Sequence, residues 1–92
     1  MVIYLRLGGD HLVPLHSVIA VLDGRARRAS ATQEFLHLQR SEGRLVDVSG
    51  GRPNSLVITD RATYLSPLSA ATLWRRARAG RVPGAPGGRT LY

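Results

Sequence analysis

The sequence predicts a small α+β domain, a mostly antiparallel β-sheet carrying two α-helices. Two observations carry that expectation. Short runs alternate or are rich in β-branched residues, and two stretches keep a helical period between them. Their order, strands, helix, strands, helix, describes one domain with a single core. At 92 residues, such a chain buries only about 60–65% of its unfolded surface, which excludes a deep two-domain cleft.

Val2 to Leu7 alternate, with Ile3, Leu5 and Leu7 on one face and Val2, Tyr4 and Arg6 on the other. This is the pattern of a half-buried strand. Gly8-Gly9-Asp10 makes a turn, and His11 to Leu15 form a second short strand, edged by Pro14. Val18-Ile19-Ala20-Val21-Leu22 is apolar on both faces and reads as a central strand ended by Asp23-Gly24. A basic loop, Arg25 to Arg28, precedes the first helix, Ala31 to about Glu42. There Ser30-Ala31-Thr32-Gln33 fits a capping box and Gly43 suits the C′ position. Its stripe would hold Ala31, Phe35 and Leu38, with Leu36 at the edge and Gln33, His37 and Arg40 opposite.

Leu45-Val46-Asp47-Val48 and Ser55-Leu56-Val57-Ile58-Thr59 read as strands joined by the six-residue hairpin loop 49–54. Thr63-Tyr64-Leu65 is a last short strand. Ser66-Pro67 opens the second helix, with Ser69 as a competing cap. Its buried stripe would be Ala70, Leu73, Trp74 and Ala77, with Ser69, Thr72, Arg75 and Arg76 outward and Arg78 beside Trp74. The domain thus spans residues 1–79. The tail, 80–92, is rich in Gly and Pro with little to bury, and reads as disordered.

Charge narrows the function. Thirteen basic residues, all Arg, oppose six acids for a net +7. Residues 1–24 carry −1, residues 25–61 carry +3, and residues 62–92 carry +5 with no acid. Arginines without interspersed acids gain nothing from internal ion pairs, whereas releasing condensed counterions from a nucleic acid rewards them. Five aromatics make a poor stacking platform for single strands, so duplex DNA held by its backbone is the favoured partner. The absence of Cys excludes a disulfide scaffold, a thiolate metal site and a Cys nucleophile. Acids scattered singly through turns, without a nucleophile elbow, argue against an enzyme. His11 and His16, five apart, and His37 on a polar helix face do not assemble a metal site. No apolar run approaches the roughly 18 residues of a membrane span, so the chain reads as soluble and cytoplasmic.

The candidate contacts are Arg52 first, at a loop tip where Ser49, Asn54 and glycine amides could assist a bidentate phosphate contact. Arg25, Arg27 and Arg28 come second. Arg75, Arg76 and Arg78 come third, since a helix that buries Trp74 could use them at a subunit interface instead. A module that assembles and binds an acidic protein partner, without a DNA role, is the competing reading.

The string Tyr4-x-Arg6-Leu7-Gly8-Gly9-Asp10, followed by Val18-Ile19-x-Val21-x-Asp23, resembles the opening of the extracellular matrix regulator Rem proteins, RemA and RemB. Gln33-Glu34-Phe35-Leu36 fits their first helix. Asn54-Ser55-Leu56-Val57-Ile58-Thr59 and Tyr64-Leu65-Ser66-Pro67-Leu68-Ser69-x-x-Thr72-Leu73-x-x-Arg76 are similar to the RemB branch. The resemblance covers roughly residues 2–79. It implies a bacterial, cytoplasmic and nucleoid-associated DNA-binding regulator of biofilm-matrix genes, without a cofactor or a small-molecule substrate. For the RemA branch it also implies a ring-shaped homo-oligomer and a fold likened to LytTR-type DNA-binding domains. RemA-like members hold a pair of Arg where this chain has Gly51-Arg52, so only Arg52 carries over. The family Arg before the central strand falls on His16 and Ser17. This leaves three readings: a weaker contact, replacement by Arg25–Arg28, or a contribution from protonated His16.

Overall fold

The computed structural model describes residues 3–81, which form an α+β domain. Six strands and two helices follow in the order β1 (Tyr4–Gly8), β2 (His11–Pro14), β3 (Val18–Asp23), α1 (Ser30–Ser41), β4 (Leu45–Asp47), β5 (Ser55–Thr59), β6 (Thr63–Ser66) and α2 (Ala70–Arg81). A 3₁₀ turn, Leu15–Ser17, leads into β3, and another, Gly24–Arg28, leads out of it. Gly80 and Arg81 of the expected tail belong to α2. The rest of that tail lies outside the described residues.

β1 and β2 form an antiparallel hairpin that pairs Tyr4 with Pro14, Leu5 with Val13 and Arg6 with Leu12. The other four strands form one sheet in the order β3-β5-β6-β4. Two expectations change here. β3 is an edge strand rather than the central one, and a bulge between Val18 and Ala20 leaves Ile19 69% exposed. β5 takes the centre, with Leu56 and Val57 both buried. Nor do β4 and β5 make a hairpin, because β6 lies between them and β4 runs parallel to β6. The reason is local. Thr59 ties the turn to β6, its amide donating to the Ala62 carbonyl and its Oγ1 accepting from the Arg61 and Ala62 amides. That tight turn claims one side of β5 for β6, and the antiparallel ladder with β3 claims the other.

The core lies between the hairpin, the sheet and α2. Leu5, Leu7, Val13, Leu15, Val21, Val57, Leu73 and Ala77 form one buried cluster. A two-stranded hairpin is marginal alone, so burial of Leu5 and Leu7 against the sheet and α2 is what fixes it. Ser66 Oγ, fully buried, donates to the Leu7 carbonyl at 2.5 Å, joining hairpin to sheet across 59 residues of sequence. On the opposite face, Leu22, Leu56 and Leu65 align across β3, β5 and β6.

Both helices bury less than their periodicity predicts. α1 has no fully buried residue. It lies against the turn Gly24–Arg28 and β4, with Phe35 and Leu36 half-buried and Leu38 53% exposed. Thr63 Oγ1 donates to Gln39 Oε1 at 2.8 Å and holds α1 to β6. Ala29, not Ser30, is the α1 cap and supplies no side-chain bond. The Ala29 amide donates to Ala26 and its carbonyl accepts from Gln33, so turn runs directly into helix and Ser30 is already inside. Ser69 caps α2, its Oγ accepting from the Thr72 amide at 3.1 Å. On α2, Leu73 and Ala77 are buried but Trp74 is 48% exposed. Its neighbour Leu73 occupies the stripe, and one position round the helix carries the indole out of it.

Replacing Leu73 by Ala removes a fully buried side chain, so a loss of about 2–5 kcal/mol is expected in urea unfolding. Replacing the exposed Leu38 by Ala changes stability by within about 0.5 kcal/mol.

Candidate nucleic-acid interface

The turn Gly24–Arg28 and the loop 49–54 come together in space. Asp23 builds the first. Its Oδ1 accepts from the Arg25 amide at 2.8 Å and from Arg25 Nε at 3.0 Å, and Oδ2 from Nη2 at 3.3 Å. These bonds, the side-chain one foremost, hold the Asp23 carboxyl below its ordinary value and raise the Arg25 guanidinium further. Both side chains are solvated, so the pair shapes the turn more than it stabilises the fold. Arg27 Nε donates to the Gly24 carbonyl at 3.3 Å.

Asp47 builds the second. It accepts from the Ser49 hydroxyl and amide, and these bonds, with a further one from the Gly51 amide, lower its pKa. Gly50 and Gly51 then reverse the chain at φ 71° and 90°, a conformation that other residues adopt at a cost. Arg52 follows, exposed, before buried Pro53.

A backbone contact joins the two. The Gly24 amide donates to the Asn54 carbonyl at 2.8 Å, and a Cβ on Gly24 would lie 2.8 Å from the Asn54 carbonyl carbon. Only glycine admits that approach. The Asn54 amide donates to Ser66, and its Nδ2 to Pro67, both at 2.8 Å. The loop is thereby anchored to the strand end before α2. Between turn and loop lies a cleft of about 160 Å³ lined by Arg25, Arg27, Arg28, Pro53 and Asn54, with Asp23 and Gly24. It is below the roughly 300–1,000 Å³ of organic-ligand pockets, and its arginine donors suit a phosphate group on a larger partner.

The other candidates fall elsewhere. Arg75 and Arg78 are exposed on α2. Arg76, half-buried, lines a separate groove with Tyr4, Leu5, Arg6 and Leu12. His16 is exposed before β3 and lines a third depression with Asp60 and Arg61. β3 runs from Val18 to Asp23, and a strand rises about 3.3 Å per residue. His16 and the arginine turn therefore sit at opposite ends of it. Sequence reasoning passed over Gly24, whose signal was its place between a capping Asp and a basic run, and Arg6, whose signal was an unpaired charge in an alternating strand.

An α+β domain that gathers arginines of one turn beside one loop defines a small basic module with an arginine-lined cleft. The chain belongs to the RemA-like family (extracellular matrix regulatory protein A-like), which it matches over residues 4–77. It is also 35% identical over 75 residues to extracellular matrix regulatory protein B of Bacillus subtilis (strain 168), covering 82% of this chain and 90% of that protein. The RemB resemblance read from Tyr64 to Arg76 agrees with that match.

Gly24→Ala is expected to shift the amide resonances of Arg25–Arg28 and residues 52–54 together, with the remaining core unmoved. The Asp23 carboxyl titrates below its ordinary value in the folded chain. The cap is therefore fully formed at neutral pH and weakens only as pH falls through that lowered value. The Arg25 amide shift should stay constant from pH 8 to 5 and move only below about pH 4.

Proposed function

We propose that this chain is a homo-oligomeric transcriptional regulator of the Rem type that binds duplex DNA by its phosphate backbone, in the cytoplasm at the nucleoid. The observation that carries the reading is the juncture of Gly24 with Asn54. It sets three arginines of a short turn beside the loop that presents Arg52. Arg52, Arg27 and Arg28 have no carboxylate partner within 4.0 Å among the described residues, whereas Arg25 shares its charge with Asp23. Arg52, Arg27 and Arg28 are therefore the first contacts, with Arg25 as a positioning residue for the turn. Arg75 and Arg78 extend the positive surface along α2. The domain acts by binding, without a catalytic step.

Each monomer offers one small surface, and repetition of that surface in an assembly multiplies weak contacts. Exposed Ile19, Leu38 and Trp74, with the edge position of β3, favour self-association. The same features favour the second reading, an assembling module that binds an acidic protein.

A mobility-shift titration of duplex DNA at several salt concentrations, beside light scattering for mass, separates the two. The regulator gives a steep, salt-sensitive shift. The protein-binding module gives a defined oligomer and no shift. Removing a phosphate contact lowers the slope of log K against log salt by about 0.9. Arg52→Ala should show that decrease, and an unchanged slope and affinity would remove Arg52 from the interface.

A further inference from the structure

The groove between the hairpin and α2 has the makings of a second site. It encloses about 370 Å³ and is lined by Tyr4, Leu5, Arg6, Leu12 and Arg76. That volume is at the low end of organic-ligand pockets, about 300–1,000 Å³. It is more than twice the 160 Å³ of the arginine-turn cleft, with which it shares no lining residue.

The local sequence explains its composition. On β1, Leu5 and Leu7 face the core at 1% and 0% exposure, so alternation turns Tyr4 and Arg6 away from it. In the hairpin register Arg6 pairs with Leu12, which places a cation beside an aliphatic side chain. Tyr4 and Leu12 remain 51% and 50% exposed, apolar surface that packing within the domain does not use. Arg76 enters from a different element, α2, and is half-buried.

Neither guanidinium has a carboxylate partner within 4.0 Å among the described residues. No acid lines the groove, and the ion pairs among the described residues are Arg25–Asp23 and Arg44–Glu42. Arg6 uses one donor on the Gly9 carbonyl at 3.3 Å, which orients it and leaves its other donors free. A partly desolvated cation without a counter-ion is costly, and an anion in the groove offsets that cost. A carboxylate is matched by one guanidinium fork, whereas a phosphate has oxygens enough for two. Beside the arginines, the Tyr4 ring offers a stacking surface for a planar group.

We propose that this groove binds a small planar organic phosphate of nucleoside monophosphate size, its phosphate held by Arg6 and Arg76 and its ring against Tyr4 and Leu12. The site is independent of the DNA surface and goes beyond the regulator reading.

The test is a titration of the isotope-labelled full chain with adenosine monophosphate, adenosine and inorganic phosphate separately. The nucleotide should shift the amides of residues 4–6, Leu12 and Arg76 saturably. Adenosine and phosphate, each using half of the site, should bind at least tenfold more weakly. Arg76→Gln and Tyr4→Ala should each weaken the nucleotide about tenfold, and Arg52→Ala, outside the groove, should not change it. Arg6→Gln, on the outer face of β1, replaces Arg76→Gln if that variant does not fold. Three results overturn the proposal: phosphate binding as tightly as the nucleotide, nucleotide shifts confined to the arginine turn, and an oligonucleotide occupying the groove where the mononucleotide does not.

Discussion

Burial of Leu5, Leu7 and Leu73 in one cluster is the interaction on which the rest of the structure depends. The β1–β2 hairpin has too few strands to persist in water by itself, and α2 is too short to be more than marginal as an isolated helix. Each is held because it covers the same face of the four-stranded sheet. The Ser66 hydroxyl then ties the hairpin to β6 through the Leu7 carbonyl, a buried bond whose loss leaves a polar group unpaired. Ser66 also accepts the Asn54 amide on its carbonyl. One strand end thus anchors both the hairpin and the loop that carries Arg52.

The charges follow from this scaffold. A basic run such as Arg25–Arg28 in an open loop would spread its guanidiniums to lower their mutual repulsion. Here Asp23 folds Arg25 back onto the turn, and the Gly24–Asn54 contact draws the turn against loop 49–54. The two acids that shape these segments, Asp23 and Asp47, both have lowered pKa values because they accept hydrogen bonds from the Arg25 and Ser49 side chains and then from the backbone they organise. The acids in this region thus hold turns in place, and Arg27, Arg28 and Arg52 have no carboxylate partner within 4.0 Å among the described residues.

Much of the fold was legible where the signal is local. Alternation located β1, the Gly8-Gly9-Asp10 turn separated it from β2, and β-branched runs located β3 and β5. Gly43 marked a helix end because capping is a matter of neighbouring residues, whereas Ser66-Pro67, read as the opening of α2, ends β6 and leads into the turn, and the competing Ser69 is the cap. The misreadings were of neighbours. An apolar run such as Val18–Leu22 looks central, yet the bulge at Ile19 and the open edge place it at the rim. Loop 49–54 looks like a hairpin connection, yet β6 occupies the position beside β5. Trp74 looks buried by size and spacing, yet Leu73 takes the stripe.

For the candidate site the division is similar. The sequence by itself determined which residues carry charge, that the surplus lies after residue 24, and that Arg52 stands at a loop tip before Pro53. It also carried the family, because the Tyr64–Arg76 string is contiguous. Only the tertiary structure decided that Arg25, Arg27 and Arg28 share a cleft with Asn54. It also decided that Arg76 instead shares a groove with Arg6 and Tyr4, and that His16 stands at the far end of β3. The physical reason is that charge and period are properties of neighbouring residues. Proximity between residues dozens of positions apart is set by strand order and by which side chains the shared core can bury.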